Sequence, residues 1–512
     1  MVDNHIAIIR LYEQAIKKVP TNSLYFFELG EAYRVENKLE KAIKSYSKAL
    51  RLNPEFIEAI YSLGGIYESR NQFDRLIQLY EEAITTYPTN VKAHFELGKA
   101  HAATEQHKKA IKIFRKVVQL DSQHAEVFLH LGDILFTTNN LDQAQKSFER
   151  ACRITPNSAE AHYKLGKVYE AKDYNDDATK EYELAKKLQG SNAEIYFKLG
   201  MSALRKTSYQ EALDEFQKAL EIDSNDSETY YQMGICHLNL GAFPAGIDNF
   251  KKALQINDEM LAATFYLART YYLNRNYEEA LERAETLREN QRWARETEVL
   301  IGDIQLALEN SQKAVEAYQN AHQLDDNNLE VLTKLSKVYE QEEQWQMAMD
   351  TYLQLLEKQP ENTELNSMIG QLACKAEQFD KAIEHYQAAH SREPDNLNYA
   401  MSLAEVYGQV KHFEQSKRIY EDLVQNFPNN VTIRIRLGEA YKSLDMEFEA
   451  ITQFREAYKL SPSNMDVLFV LGTDYLKKGI LDKALEHFEA ILQQVPDDVQ
   501  TLMKVGLINL EK

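Results

Sequence analysis

His94 and His101 stand seven residues apart in a segment of helical periodicity, so their imidazoles fall near one helix face and could bind a metal ion. No carboxylate or cysteine is placed to complete the ligand set, and we interpret both as partly buried structural histidines. The cysteines Cys152, Cys236 and Cys374 are far apart with no paired spacing, which indicates neither a disulfide framework nor a thiolate zinc site. The sequence thus predicts no metal site.

Catalytic motifs are absent from the sequence. It contains no phosphate-binding loop of the form GxxxxGKS/T, no GxGxxG, no GxSxG, no HExxH and no calcium loop. We therefore expect no catalytic residue, no cofactor and no enzymatic activity from this chain.

Acidic side chains recur at a fixed spacing, at Glu58, Glu126, Glu160, Glu194, Glu228, Glu296, Glu330 and Glu364. They could form a stripe that binds a basic partner. Each also falls in the first turn of a predicted helix, where a carboxylate interacts favourably with the helix dipole, and we favour this second interpretation. The formal charge of −20 disfavours nucleic acid or an anionic membrane as a partner.

The elements that carry these residues repeat every thirty-four residues. From Ser23 to Phe56 the pattern predicts two amphipathic helices joined by a tight turn, and the same pattern returns along nearly the whole chain. A fixed period of this length without strand-like alternation predicts an all-α solenoid.

Small residues occupy one register of the repeat. Of the fifteen positions in register with Gly30, twelve are glycine and the others are Ala268, Ser336 and Ala404. Glycine inside a helix costs roughly 0.5 to 1 kcal/mol relative to alanine, so its recurrence predicts a closely approaching partner helix. We expect Ala42 and its periodic equivalents to face the glycine, and the series of rings that begins at Tyr46 to fill the remaining space.

This arrangement resembles the tetratricopeptide repeat family, whose pattern places a large aromatic residue, Leu-Gly, Tyr, Ala, an aromatic residue, Ala and Pro at these offsets. The resemblance implies a right-handed superhelical α-solenoid of antiparallel helix pairs. It also implies three segments: a helix-B half repeat and loop at residues 1–22, fourteen full repeats at 23–498, and a terminal first helix at 499–512.

The resemblance further implies a binding groove, because in this family the first helices line the concave surface and the fifth position of each repeat points into it. The aromatic residues at that position are Phe27, Tyr61, Phe95, Tyr163, Phe197, Tyr231 and Phe265. Rings on a helix most often pack between repeats. A row of partly hydrated rings is also a low-entropy platform for an extended peptide.

A basic cluster accompanies the rings in the fifth and sixth repeats: Lys164, Lys167, Lys198 and Arg205. It could bind an acidic side chain or a terminal carboxylate, although solvated lysines are the commoner explanation. Two subtypes of the family do not fit. Clamps for chaperone tails require a lysine at the fifth position, and the O-linked sugar transferases require a ladder of groove asparagines.

The eighth repeat, residues 261–294, departs furthest from the pattern, because Ala284 replaces the aromatic residue and Leu287 replaces a small one. A basic and aromatic run follows: Arg288, Arg292, Trp293 and Arg295. The run could be a docking patch or a hinge. We favour drift in one repeat with compensating packing.

The ends of the chain bear on location and assembly. The N-terminal apolar run is too short for a signal peptide or a membrane span, so we expect a cytoplasmic protein without membrane insertion. The last helix is apolar on most sides, with Leu502, Met503, Val505, Leu507, Ile508 and Leu510. Either the chain is the front part of a longer protein, or this end contacts something such as a second copy.

The predicted function is a non-enzymatic scaffold that binds peptide or helical segments of other proteins along the concave groove. Two alternatives stay open. The chain could be the substrate-targeting arm of a larger enzyme, for example a glycosyltransferase, whose catalytic domain lies beyond Lys512. It could also be an assembly factor that self-associates through its C-terminal helix.

Overall fold

The computed structural model describes residues 2–511, with side chains from residue 6 onward. This part of the chain has thirty α-helices and no strand, which confirms the predicted all-α solenoid. Its contacts divide the chain into two compact units, Met1–Ala263 and Thr264–Lys512. Each unit is a run of consecutive helix hairpins.

The first unit begins with α1 (Val2–Lys18), which packs against the first helix of the first hairpin. The first helices are α2 (Ser23–Val35), α4 (Ile57–Ser69), α6 (Val91–Ala103), α8 (Ala125–Thr137), α10 (Ala159–Ala171), α12 (Ala193–Arg205) and α14 (Ser227–Asn239). The second helices are α3 (Leu39–Leu52), α5 (Phe73–Thr86), α7 (His107–Leu120), α9 (Leu141–Ile154), α11 (Asn175–Leu188), α13 (Tyr209–Ile222) and α15 (Phe243–Ile256). Helix α16 (Leu261–Leu273) contains the boundary between the units.

The second unit continues the alternation, and its helix α17 (Tyr277–Glu285) has only 9 residues. Its first helices are α18 (Ala294–Ala307), α20 (Leu329–Gln341), α22 (Thr363–Lys375), α24 (Leu397–Gln409), α26 (Val431–Ser443), α28 (Met465–Lys477) and α30 (Val499–Glu511). Its remaining second helices are α19 (Ser311–Leu324), α21 (Trp345–Lys358), α23 (Phe379–Arg392), α25 (Phe413–Asn426), α27 (Glu447–Leu460) and α29 (Leu481–Gln494).

Side-chain caps fix where many first helices begin. Asn22 Oδ1 accepts a hydrogen bond from the backbone N–H of Leu24 at 3.0 Å, and Asn90 Oδ1 accepts one from Ala93 at 2.9 Å. A side-chain oxygen here satisfies one of the backbone donors that the first turn leaves unpaired, and the loss of such a cap typically costs about 1 kcal/mol. The recurring Asn before the helix is therefore a start signal.

The turn inside each hairpin uses one residue with a left-handed backbone. In the first repeat this residue is Asn37, with φ of 54°, and the N–H of Lys38 then reaches back to the carbonyl oxygen of Tyr33 at 2.8 Å. This six-to-one hydrogen bond is the Schellman geometry that ends a helix. It reverses the chain within three residues, so the second helix folds directly onto the first.

Within each hairpin core, the two helices approach closely at positions 8 and 24, counted from the first residue of the repeat. A Cβ atom added to Gly98 would lie 2.5 Å from Cε1 of Phe114, closer than atoms pack, so only glycine fits beneath this ring. Ala110, which we expected to face the glycine, is fully buried. The ring of Phe114, and not Ala110, is nevertheless the group nearest to Gly98, so the expectation that the alanine faces the glycine is corrected.

Candidate functional site

The first helices of neighbouring repeats are joined by charged side chains on a surface that we call the first-helix face, built in the first unit by α2 to α14. Lys164 Nζ on α10 lies 2.5 Å from Asp133 Oδ2 on α8. Lys99 Nζ on α6 lies 3.2 Å from Glu68 Oε1 on α4. Because each pair spans two repeats, the charged side chains of this face are held in place before any ligand arrives.

The predicted groove rings fall into two groups. Phe95, Tyr163 and Phe265 are buried, with 6%, 8% and 8% of their surface exposed. Phe27, Tyr61, Phe197 and Tyr231 are partly exposed. Rings of both groups pack on the aromatic residue at position 24 of the same repeat, for example Phe197 on Phe216 with ring centroids 5.7 Å apart. The rings thus serve hairpin packing, and the partly exposed group also contributes surface to the first-helix face.

Three of the four residues in the predicted basic cluster are paired with carboxylates. Lys164 contacts Asp133, and Lys198 Nζ lies 3.0 Å from Oε2 of Glu170, which also pairs with Arg205. Burial would raise the pKa of Glu170, but hydrogen bonds from Tyr182 and from Lys198 outweigh it and lower that pKa. Glu170 is therefore ionised at neutral pH, and the positive charge of this cluster is largely neutralised within the protein.

Lys167 differs from its neighbours. Its Nζ lies 5.5 Å from the ring centroid of Tyr163 and 6.0 Å from that of Phe136, which are cation–π distances. Among the side chains that the structure describes, residues 6–511, no carboxylate forms an ion pair with it. Lys167 is thus the basic group of the cluster that can offer its charge to a ligand.

Two of the glutamates at the second position of the repeat form ion pairs with a lysine of the same helix. Glu160 and Glu330 each contact the lysine four residues later, at 3.1 Å for Lys164 and 3.5 Å for Lys334. Both lie in the first turn of their helices, as expected for the interaction with the helix dipole. Their use as a stripe for a basic partner stays a prediction.

His94 and His101 are buried, with 6% and 3% exposure. The Nε2 of His94 lies 3.0 Å from the carbonyl oxygen of Pro88, and burial lowers the pKa of His101. Both histidines therefore act as packing residues of the third repeat, as we interpreted them.

A cluster that the sequence spacing did not reveal lies between the fourth and fifth repeats. Side-chain donor atoms of Cys152 on α9, His162 on α10 and Glu181 on α11 all lie within 4.8 Å of one another. The Nδ1 of His162 is 2.6 Å from Oε2 of Glu181, and its Nε2 is 3.0 Å from the carbonyl oxygen of Pro156. Burial and the charge of Glu181 raise the pKa of the Cys152 thiol to about 12, so it is neutral at pH 7.

Family profiles match the chain in both units. Profiles described as TPR repeat match residues 30–69 and 132–173. Profiles described as Tetratricopeptide repeat match residues 61–125, 193–226, 231–291, 331–364 and 449–499. Together these matches span more than half of the sequence. The chain belongs to the tetratricopeptide repeat family.

Solved tetratricopeptide repeat structures resemble parts of the chain in fold alone. YrrB, described as a TPR protein with an unusual peptide-binding site, is 20% identical over 43% of this chain and 96% of its own, with a TM-score of 0.31. The C-terminal part of a TPR repeat-containing protein from Cytophaga hutchinsonii is 17% identical over 47% of this chain and 99% of its own, with a TM-score of 0.41. PilF from Pseudomonas aeruginosa is 20% identical over 42% and 97%, with a TM-score of 0.36. No curated protein matches the chain.

Two of the three arginines in the basic and aromatic run of this tetratricopeptide array, residues 288–295, form ion pairs within the protein. Arg288 Nε lies 2.7 Å from Oε1 of Glu298, whose side chain is only 6% exposed. Arg295 pairs with Asp325 at 3.0 Å. The ring of Trp293 stacks on Phe265 with centroids 4.9 Å apart. These contacts supply the compensating packing of our preferred interpretation, and a docking or hinge role of the segment stays a prediction.

The last tetratricopeptide helix, α30, exposes a row of apolar side chains: Val499, Leu502, Met503, Leu507 and Leu510. Self-association through this helix stays a prediction. Among the described residues, no helix combines the length and the apolar character that crossing a bilayer requires.

Proposed function

We propose that residues 23–498 form fourteen tetratricopeptide repeats that bind extended or helical segments of other proteins along the first-helix face. As a member of this family, the chain is a protein-interaction scaffold; the finer assignment of ligand and surface is the proposal. The observation that carries it is the ordering of that face by side-chain pairs between repeats. Because a fixed surface loses little entropy on binding, an extended ligand can bind with few anchors.

The contacts on this face narrow the chemistry of the ligand. Since Asp133, Glu160 and Glu170 place three negative charges beside the four positive charges of the basic cluster, a run of acidic residues would find little free positive charge. Lys167, set between two rings, supports a single acidic or carbonyl contact. The partly exposed ring of Phe197, on the next first helix, supports an apolar anchor beside it.

Panning a random peptide display library on the purified chain would test the proposal. We expect enriched peptides to bind in fluorescence anisotropy, and Lys167→Glu and Phe197→Ala each to weaken that binding by about tenfold. Lys180→Glu is the matched control, because the Lys180 side chain on the second helix α11 is 72% exposed. Failure to enrich any peptide, or equal affinities for all variants, would show that the first-helix face is not the binding surface.

A cytoplasmic location and the absence of catalysis belong to the same proposal. Three free cysteines support a reducing compartment. The alternative of an enzyme's targeting arm predicts a catalytic domain encoded after the codon for Lys512. The alternative of an assembly factor predicts a solution mass of two or more chains that falls when Leu502 and Leu507 are changed to Glu.

A further inference from the structure

The corner where two repeats meet is built from position 28 of one repeat and positions 4 and 23 of the next. In the corner between the fourth and fifth repeats these residues are Cys152, His162 and Glu181, each partly buried. They bring a sulfur, an imidazole nitrogen and a carboxylate oxygen within 4.8 Å of one another. Sulfur, nitrogen and oxygen donors in this number are the usual ligands of Zn²⁺ in proteins.

The imidazole ring of His162 is oriented so that Nδ1 could coordinate a metal ion. A carbonyl oxygen can only accept a hydrogen bond, so the ring nitrogen that faces Pro156 carries a proton, and Nδ1 points towards Glu181. An imidazole whose far N–H is held by a backbone carbonyl is the arrangement found around bound metals. At 2.6 Å, Nδ1 of His162 and the carboxylate oxygen of Glu181 face each other directly, so both atoms can turn onto a single ion.

Other corners of the same chain show what is particular to this one. His94 occupies position 4 of the third repeat, with the same 3.0 Å contact to a proline carbonyl, but its corner is completed by Ile84 and Ile113. Arg434 occupies position 4 of the thirteenth repeat and contacts Gln453 at 3.0 Å. Contacts between positions 4 and 23 therefore recur as packing, and the addition of a thiol distinguishes the corner at Cys152.

We propose that Cys152, His162 and Glu181 form a binding site for a divalent transition metal of the Zn²⁺ type. The metal takes Sγ, Nδ1 and one carboxylate oxygen, and water supplies the fourth ligand from the exposed side. The thiol loses its proton on binding, because sulfur coordinates Zn²⁺ as the thiolate. The 2.6 Å separation then opens to about 3.4 Å, the spacing of two ligands on a tetrahedral zinc ion.

The local charge favours a cation at this corner. Both Glu149 and Glu181 act electrostatically on the Cys152 thiol. The thiolate and the carboxylate together balance the two positive charges of the ion, and the imidazole binds as a neutral ligand, so the loaded site carries no net charge. The ligands come from three successive helices, so the ion would also link the fourth repeat to the fifth.

Titration of the reduced full-length chain with Co²⁺ tests the site, because a cobalt–thiolate bond gives a charge-transfer absorption in the near ultraviolet. We expect one Co²⁺ per chain, with this absorption, and its displacement by Zn²⁺. Cys152→Ser should abolish the absorption. His162→Gln and Glu181→Gln should weaken Co²⁺ binding by about tenfold or more.

The chain supplies matched controls for each ligand. Cys236→Ala, Cys374→Ala and His94→Gln should leave the absorption unchanged, and circular dichroism should show that every variant retains its helices. A chain that gives no charge-transfer absorption, or one whose absorption survives Cys152→Ser, would overturn the proposal. An absorption lost in Cys236→Ala or Cys374→Ala would do the same, because it would place the metal elsewhere.

Discussion

The third and eighth repeats fill the space between their two helices with different pairs of side chains at positions 8 and 24. In the third, Gly98 at position 8 lies beneath the ring of Phe114 at position 24. In the eighth, both positions are alanine, and Ala268 and Ala284 are fully buried. A methyl group has been added on one helix where a ring has been removed from the other. The side chains at positions 8 and 24 therefore share one space in the core, so a larger residue at one position requires a smaller residue at the other.

The eighth repeat also differs from the third in the length of its second helix. Helix α7 of the third repeat runs for 14 residues, whereas α17 ends at Glu285 after 9. Beyond that end, Leu287 turns inward to 1% exposure and Arg288 reaches the buried carboxylate of Glu298. A shorter helix thus comes with a different set of buried contacts, which explains why this segment looked like a docking patch in the sequence.

The largest effect we expect is on the third repeat. Gly98→Leu forces a side chain into the space of Phe114, which is fully buried and cannot move aside, and should lower the free energy of unfolding by about 3 kcal/mol. Gly65→Leu is the control, because nothing lies within 4 Å of a Cβ there, and it should cause no loss. The measurement is the midpoint of urea unfolding for each variant. Equal decreases for Gly98→Leu and Gly65→Leu would contradict a special role of the space beneath Phe114.

A smaller loss is expected from the ion pair of Arg288 with Glu298, which joins the eighth repeat to the ninth. Arg288→Ala leaves the carboxylate of Glu298 buried without its partner, which we expect to cost about 2 kcal/mol, reduced because the arginine itself is partly exposed. The double change Arg288→Met with Glu298→Leu should restore most of that loss, since an apolar pair needs no counter-charge. A double variant no more stable than Arg288→Ala would show that the charges are not the cause.

The shared volume of positions 8 and 24 predicts a coupling within the eighth repeat. Ala284→Phe should destabilise the protein by about 1–2 kcal/mol, because the methyl group of Ala268 occupies space that a ring needs. Adding Ala268→Gly should recover at least half of that loss, as measured in a double-mutant cycle. Additive losses would mean that the two positions are independent.

Much of this comparison could be predicted from the sequence, because it depends on register. The recurrence of Gly30 and its equivalents predicted the hairpins, and Ala284 stood out as a missing ring. The pairing of Arg288 with Glu298 could not be predicted, since it depends on where α17 ends. The neutralisation of the basic cluster could not be predicted either, since the carboxylates that pair with it come from neighbouring first helices.

The Cys152 cluster could not be predicted from linear spacing, because its three residues are neighbours only in the register of the repeat. Placing each residue at its repeat position would have put Cys152, His162 and Glu181 at one corner. The same procedure shows Ile84 and Ile113 around His94, so it would also have separated the two histidines. In a solenoid, the position within the repeat thus predicts contacts that linear spacing does not.

The smallest effect concerns pH, and it separates the fifth repeat from the eighth. In the fifth repeat, hydrogen bonds from Tyr182 and Lys198 outweigh burial and hold the pKa of Glu170 below its ordinary value of about 4.3. A lowered pKa in the folded state means that this stabilisation is complete above pH 5 or so and is lost as the pH falls through the folded-state pKa. In the eighth repeat, Tyr272 stands at the equivalent position and supplies no carboxylate.

Melting temperatures between about pH 3 and pH 7 should therefore fall more steeply on acidification in the wild type than in Glu170→Gln. Tyr272→Phe should follow the slope of the wild type, because it removes no group that titrates in this range. If wild type and Glu170→Gln gave parallel curves, the hydrogen bonds to Glu170 would contribute no net stability, and the acid sensitivity of the array would have to come from other carboxylates.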